Sequence, residues 1–241
     1  MDWLTPKGFA ALTGALVVMR GVAEWCLDQL NLKYVLAHRG KLPASWKAVM
    51  DESTFSRSLN YTAAKEKFSQ WSGLYGTLIL LAALFSGLLP AMEQTWTGHL
   101  GASIWIQSGF LCAVATLLAL FDLPWNFWSQ FHLENQFGFN KSNRKLWAVD
   151  QLKMFILGWA IGWPMITLLL WIVEKAGDQW WIWAWCVLLV FQIVMLILAP
   201  MLILPLFNKL TPLDEGPLKD RLLLLAGRTG FGMSAIQVMD G

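Results

Sequence analysis

Five long apolar runs divide this chain, with polar stretches between them, at about 8–30, 70–92, 103–123, 153–174 and 180–205. A helix needs about 20 apolar residues to cross the hydrocarbon layer, and each run is long enough. The second includes GTLILLAALFSGLL, the third GFLCAVATLLALF, the fourth FILGWAIGWPMITLLLWIV and the fifth VLLVFQIVMLILAPMLIL. Pro164 and Pro200 fall inside the fourth and fifth runs and predict kinks, because each removes a backbone donor. Beyond 205 the pattern changes. A turn around Pro212 leads into a helix with Pro217 at its first position, a stripe of Leu218, Leu222 and Leu225, and Gly227 or Gly230 as its stop. SAIQVMDG then alternates as a strand does. A strand without a partner is not a stable end to a fold. The expectation is therefore an all-α integral-membrane region of five transmembrane helices over 1–205, followed at 206–241 by the incomplete start of a soluble α+β domain.

Composition agrees with a membrane protein. Of 241 residues 56% are hydrophobic and 14% charged, and mean hydropathy is +0.49. A soluble domain carries about 25% charged residues. The sixteen Trp fit interfacial belts, with WWIWAW at 180–185 marking the outer end of the fifth span. Fifteen of the eighteen Lys and Arg lie in the 33–67 and 124–153 connections and in the tail after 205. Lys7 and Lys175 lie on the other side, and Arg20 is inside the first span. The positive-inside rule then places the basic connections and the C-terminus in the cytoplasm and the N-terminus outside. No cleavable leader is apparent, since GVAEWCLDQL continues the first span. Cys26, Cys112 and Cys186 each fall in a different apolar run, with no CxxC spacing, and read as buried apolar side chains. The basic residues follow topology and outline no nucleic-acid surface. Asn60-Tyr61-Thr62 and Asn140-Lys141-Ser142 match the glycosylation pattern but fall on the predicted inner face.

Two polar groupings are candidates for chemistry. Arg20, Glu24 and Asp28 repeat at i, i+4, i+8 and share a helix face. A charge at the centre of a membrane helix costs about 2.5–3.5 kcal/mol on the insertion scale. This intramembrane polar face must therefore carry an internal ion pair or border a solvated chamber. The second grouping is FHLENQFGFNKSNRKLWAVDQLK, 131–153, which holds Glu134, Asn140, Asp150 and Lys153. Asp150 and Lys153 are spaced for contact on the extension of the fourth helix. Ser142 or Asn143 can cap that helix, and Gly138 lets Phe137 and Phe139 turn opposite ways. On the residues alone this is a capped re-entrant or interfacial loop. His38, His99 and His132 are the only histidines, no HExxH occurs, and His132-Leu133-Glu134 offers too few ligands for zinc. GRTGFG at 227–232 does not join a strand to a helix and is no nucleotide loop.

The run LPWNFWSQFHLENQFGFNKSNRKLWAVDQLK resembles the signature of the CAAX prenyl protease 1 family, integral-membrane zinc metalloendopeptidases of the HExxH type. The matching positions are Leu123-Pro124, Glu134, Phe137-Gly138-Phe139-Asn140, Asp150 and Lys153. PLFNKLTPLDEGPLK at 205–219, which contains Asn208, is similar to the family's link into the catalytic domain, and VMDG at 238–241 to the strand that enters it. YVLAHRGKLPASW, YTAAKEKF and the Arg20, Glu24, Asp28 spacing are similar too. The resemblance implies the start of a zinc metalloprotease domain at 206–241, with the HExxH ligands beyond residue 241 and none in this chain. It implies a peptide or membrane-protein substrate, prenylated or otherwise membrane-associated, and a multi-pass place in a bacterial inner membrane, or in the endoplasmic reticulum for a eukaryote. Glu134, Asn140, Asp150, Lys153 and Asn208 would then orient the domain junction at the mouth of a chamber. A non-catalytic membrane scaffold and a small transporter or channel are the other readings. An HExxH in the coding sequence after codon 241 would separate the first reading from them.

Overall fold

Thr5 opens the first helix by accepting a hydrogen bond from Gly8 N–H on Oγ1 (3.1 Å), with Pro6 at the first helical position, where its missing donor costs nothing. The computed structural model describes residues 5–38, 50–233 and 235–239. Helix α1 runs Pro6–Ala37 and α2 Glu52–Phe85. Asp51 caps α2 by accepting from Thr54 N–H (3.2 Å), and the Ser53 hydroxyl donates to its carboxylate (2.6 Å). The Ser53 bond and those from Thr54 hold the Asp51 carboxyl down at about 2. Ser86 and Gly87, the latter at φ +77°, separate α2 from α3, Leu88–Leu100. Next come α4, Ile104–Trp128, a π-helical turn at Ser129–Glu134, and α5, Asn135–Phe137. Helix α6 spans Arg144–Lys175, and a 3₁₀ turn at Gly177–Gln179 leads into α7, Trp180–Leu198. A π turn at Ala199–Ile203 follows, then α8, Leu204–Phe207, strand β1, Leu210–Pro212, helix α9, Pro217–Thr229, and strand β2, Gln237–Met239. The chain forms two compact units, Met1–Thr167 and Leu168–Gly241.

Five stretches among the described residues are long and apolar enough to cross a membrane: Pro6–Ala37, Glu52–Phe85, Ile104–Phe137, Arg144–Lys175 and Gly177–Phe207. They carry the five expected spans, but several boundaries differ. The expected 33–67 connection is largely helix, because α1 continues to Ala37 and α2 starts at Glu52. The polar half of α2 is held by its partner helix, not by hydrocarbon. Asn31 Nδ2 donates to Glu66 Oε1 (2.7 Å), and Leu32, Val35 and Ala63 bury one another. The expected outer loop at 93–102 is mostly α3, tied to α4 by Trp96 Nε1–H donating to Ile106 O (3.0 Å). Pro200 sits within the π turn, where the regular ladder is already broken, whereas Pro164 lies inside an unbroken α6.

Within the first unit, α1 and α2 run antiparallel along most of their length. A Cβ on Gly14 would lie 3.1 Å from Phe85, and one on Gly21 3.0 Å from Thr77 Oγ1. Further along, Trp25 meets Trp71 edge to face (6.0 Å), and Gln29 Nε2 donates to Gln70 Oε1 (3.1 Å). Helices α4 and α6 are stitched differently. Ser108, fully buried, shares a 2.6 Å hydrogen bond with Thr167. Trp163 Nε1–H donates to Trp105 O (3.0 Å), and Trp159 Nε1–H to Thr116 Oγ1 (2.8 Å). These positions fall on one face of each helix, and Gly109 brings α4 close to the Trp163 ring.

In the second unit, β1 and β2 pair antiparallel, with Thr211 opposite Val238. This corrects the expectation of an unpaired terminal strand. The partner lies in the turn region around Pro212, 27 residues earlier, and the two are joined by Leu213 N–H donating to Ile236 O (3.0 Å). Helix α9 starts at Pro217 as expected and stops at Gly230 (φ +67°), where Phe231 N–H reaches Ala226 O (2.9 Å).

The buried Ser108–Thr167 contact yields a stability prediction. Ser108→Ala should cost about 1 kcal/mol, the worth of one hydrogen bond. Ser108→Leu should cost a further 1–3 kcal/mol or so by overpacking a site with no free space. Thermal unfolding of the detergent-solubilised chain reads both, and equal effects would contradict the packing described.

Candidate functional site

The polar segment that joins α4 to α6 is built on α5 and its cap. Gly138 adopts φ +78°, a conformation other residues rarely reach, so the chain reverses immediately after Phe137. Gly138 N–H donates to Asn135 O (3.1 Å) and Phe139 N–H to Glu134 O (2.9 Å), the pair of bonds that closes a Schellman cap. The reversal brings Phe137 and Phe139 against one ring. Tyr61 meets Phe137 at 5.2 Å and Phe139 at 4.9 Å, edge to face in both cases.

That ring also carries the polar contact. Tyr61 Oη–H donates to Glu134 Oε1 at 2.6 Å, a short bond of the kind a carboxylate acceptor gives. One helical turn before it, Arg57 Nη2 donates to Phe137 O at 2.6 Å. A Cβ at Gly138 would lie 3.3 Å from the same guanidinium, so glycine serves the approach as well as the turn. Glu134 lies at the end of the π turn, whose extra residue per turn shifts the facing of everything after it.

The second half of the segment is organised by two asparagines. Asn140 Oδ1 accepts from Gln130 Nε2 (3.1 Å) and from Ser142 N–H (2.9 Å), which folds the link back against the π turn. Asn143 Oδ1 accepts from Leu146 N–H (2.8 Å) and so caps α6, making Asn143 the cap of the two expected candidates. Trp147 then packs edge to face on Phe127 (5.3 Å), and the Arg144 guanidinium lies over the Phe127 ring at 5.9 Å. On α6, Lys153 Nζ lies 3.0 Å from Asp150 Oδ1, both half-buried, as the i, i+3 spacing predicts.

The structure thus brings Glu134 and Asn140 into one hydrogen-bonded floor and pairs Asp150 with Lys153. Arg20 and Glu24 form an exposed ion pair on α1 (2.8 Å), with Asp28 a turn further on, half-buried. Asn208 belongs to the second unit, where its Nδ2 donates to Leu204 O (3.3 Å) just before β1. The residues that sequence reasoning missed as site members are Arg57 and Tyr61. Their i, i+4 spacing is visible once 52–69 is read as helix.

A zinc ion needs three or four converging donors. Among the described residues no three of His, Cys, Asp or Glu come together in that way. The residues present do not fit a zinc site, and the chemistry of this segment is hydrogen bonding and charge pairing.

Comparison with known proteins places this architecture. The model of the family described as "CAAX prenyl protease N-terminal, five membrane helices" matches residues 31–209. CAAX prenyl protease 1 of Saccharomyces cerevisiae is 35% identical over 211 residues, covering 83% of this chain and 47% of that protein. The Homo sapiens homologue of CAAX prenyl protease 1 is 34% identical over 210 residues, covering 83% of this chain and 44% of its own length. The crystal structure of S. mikatae Ste24p superposes with a TM-score of 0.86 at 32% identity, over 96% of this chain and 55% of that one. The chain therefore spans about half the length of the curated relatives it matches. With most of its length matched by the family model, this chain belongs to the CAAX prenyl protease N-terminal family of five membrane helices.

Proposed function

We propose that this chain is the membrane-embedding region of a metalloendopeptidase that cleaves CAAX-type prenylated or other membrane-associated proteins. The observation that carries the reading is the likeness to S. mikatae Ste24p over 96% of this chain. The role we assign to the chain is placement. Five spans fix it in the bilayer, and the polar floor gives a rigid, charged surface at the membrane boundary. The zinc of such an enzyme would be held by residues other than those described here, with 206–241 as the entry to that domain. Glu134, Asn140, Asp150, Lys153 and Asn208 would orient the junction. The distribution of Lys and Arg supports a cytoplasmic placement of the floor and of the tail, with the N-terminus outside.

Asp150→Ala, made in the protein with whatever coding sequence follows residue 241, should lower cleavage of a prenylated CAAX peptide while leaving membrane insertion intact. A slight misplacement of a catalytic domain costs roughly ten- to a hundred-fold. Unchanged cleavage would remove Asp150 from the junction. Tyr61→Phe keeps the ring stack but deletes the donor to Glu134. It should lower stability by about 1–2 kcal/mol, read as a fall in thermal unfolding midpoint that Phe137→Leu, a ring deletion, exceeds. Reporter fusions at Lys141 and Arg221 should report the same face of the bilayer, and opposite faces would end the topological reading.

A further inference from the structure

Helices α2 and α4 meet at a pocket of about 480 Å³, within the roughly 300–1,000 Å³ of small-ligand sites. Its walls are Lys67, Phe68 and Trp71 from α2 and Pro124, Trp125 and Trp128 from α4. The apolar run of α2 begins at about 70, and that of α4 ends at about 123. Both sets of residues therefore stand at the same boundary of the bilayer, at the level of the lipid headgroups, where tryptophan collects.

The rings are braced from outside the pocket. Trp25 meets Trp71 edge to face (6.0 Å), Tyr75 lies against Trp125 (5.5 Å), and His132 stacks on Trp128 (4.4 Å). None of these three lines the pocket. Trp71 and Trp128 still remain more than half exposed.

The polar groups of the pocket are all of one kind. Lys67 is exposed and forms no ion pair among the described residues, and its neighbour Glu66 is engaged by Asn31. The indole N–H groups of Trp71, Trp125 and Trp128 have no acceptor among the described residues. An indole and an ammonium donate and never accept. No carboxylate, amide or hydroxyl side chain lines the pocket, and Asp122, two residues before Pro124, is not among its walls. The site therefore has donors, one positive charge and aromatic faces, and no side-chain acceptor. Its complement carries an anion that accepts hydrogen bonds, a cation that needs no acceptor, and a hydrocarbon chain that keeps it in the bilayer. Phosphate and a quaternary ammonium meet the first two requirements, and aromatic walls are the usual receptor for the second. A primary ammonium would bring three N–H donors to a site with nothing to accept them. A glycerol headgroup brings the anion but gives the rings no cation.

We propose that the α2–α4 pocket binds the headgroup of one phosphatidylcholine molecule, with its trimethylammonium against Trp71, Trp125 and Trp128 and its phosphate at Lys67. This rests on the membrane spans and not on the proteolytic reading, and its test measures lipid, not cleavage.

The test is native mass spectrometry of the full chain, released from detergent after titration with dioleoyl phosphatidylcholine, phosphatidylethanolamine or phosphatidylglycerol. The choline lipid should be retained about ten-fold more tightly than the other two, the discrimination expected from a desolvated cation–π contact. Trp71→Leu combined with Trp128→Leu keeps apolar surface and removes two aromatic faces. That double variant should hold the choline and ethanolamine lipids alike. Lys67→Gln should weaken both of these lipids by the same factor, since both carry the phosphate, and leave their ratio unchanged. Trp181→Leu, at the start of α7, should change nothing. Equal retention of the three lipids by the unaltered chain, no retention of any, or a preference for the ethanolamine or glycerol lipid would overturn the proposal. So would a choline preference that survives the double tryptophan variant. The lipid comparison needs only the unaltered chain, so it decides the matter even where a variant fails to fold.

Discussion

A helix surrounded by acyl chains gains little by exchanging lipid for another leucine, so this architecture depends on contacts that lipid cannot imitate. Two kinds are present, and each joins a different pair of helices. Helices α4 and α6 use hydrogen bonds: Ser108 to Thr167, and the indole donors of Trp159 and Trp163 to Thr116 and the carbonyl of Trp105. Helices α1 and α2 use close approach at Gly14 and Gly21, followed by an amide pair where the helices leave the apolar zone. The many exposed large hydrophobic side chains, such as Leu196 at 76%, are then no defect. They are the surface for which the bilayer is solvent.

The same constraint explains why the segment between α4 and α6 is so polar. Where the chain must reverse near the boundary, the backbone groups freed by the reversal need partners. The Schellman bonds at Gly138 and Phe139, the guanidinium of Arg57 on the Phe137 carbonyl, and the two acceptor roles of Asn140 supply them. Tyr61 links this hydrogen-bonding to packing, since one ring touches both phenylalanines while its hydroxyl holds Glu134. A loop tied at this many points is a platform of fixed shape.

Features that local chemistry controls were legible in the sequence. The five spans follow from composition over about 20 residues. The Gly138 reversal, the Asn143 cap, the Pro217 helix start and the Asp150–Lys153 contact follow from spacings of four residues or fewer. What was not legible depends on a distant partner. The helical 52–69 stretch is too polar for a hydropathy signal, and Glu66 and Ala63 are set by residues of α1 some 30 positions away. The β1–β2 pairing joins segments 27 residues apart through a three-residue ladder, too short for alternation to reveal.

Glu134 illustrates how the two scales meet. Its neighbours in sequence, Leu133 and Asn135, say only that a carboxylate ends a polar turn. Its role comes from the π turn beneath it and from a tyrosine 73 positions earlier. A carboxylate held at 2.6 Å by a phenol is fixed in direction, and the Schellman bond to its own carbonyl fixes the backbone that carries it. Both restraints act on one residue, so moving either α2 or the α5 cap must displace the other. Helix α2 and the polar floor are therefore one mechanical element, and a substitution at Arg57 or Tyr61, far from Glu134 in sequence, acts on the floor as directly as one within it.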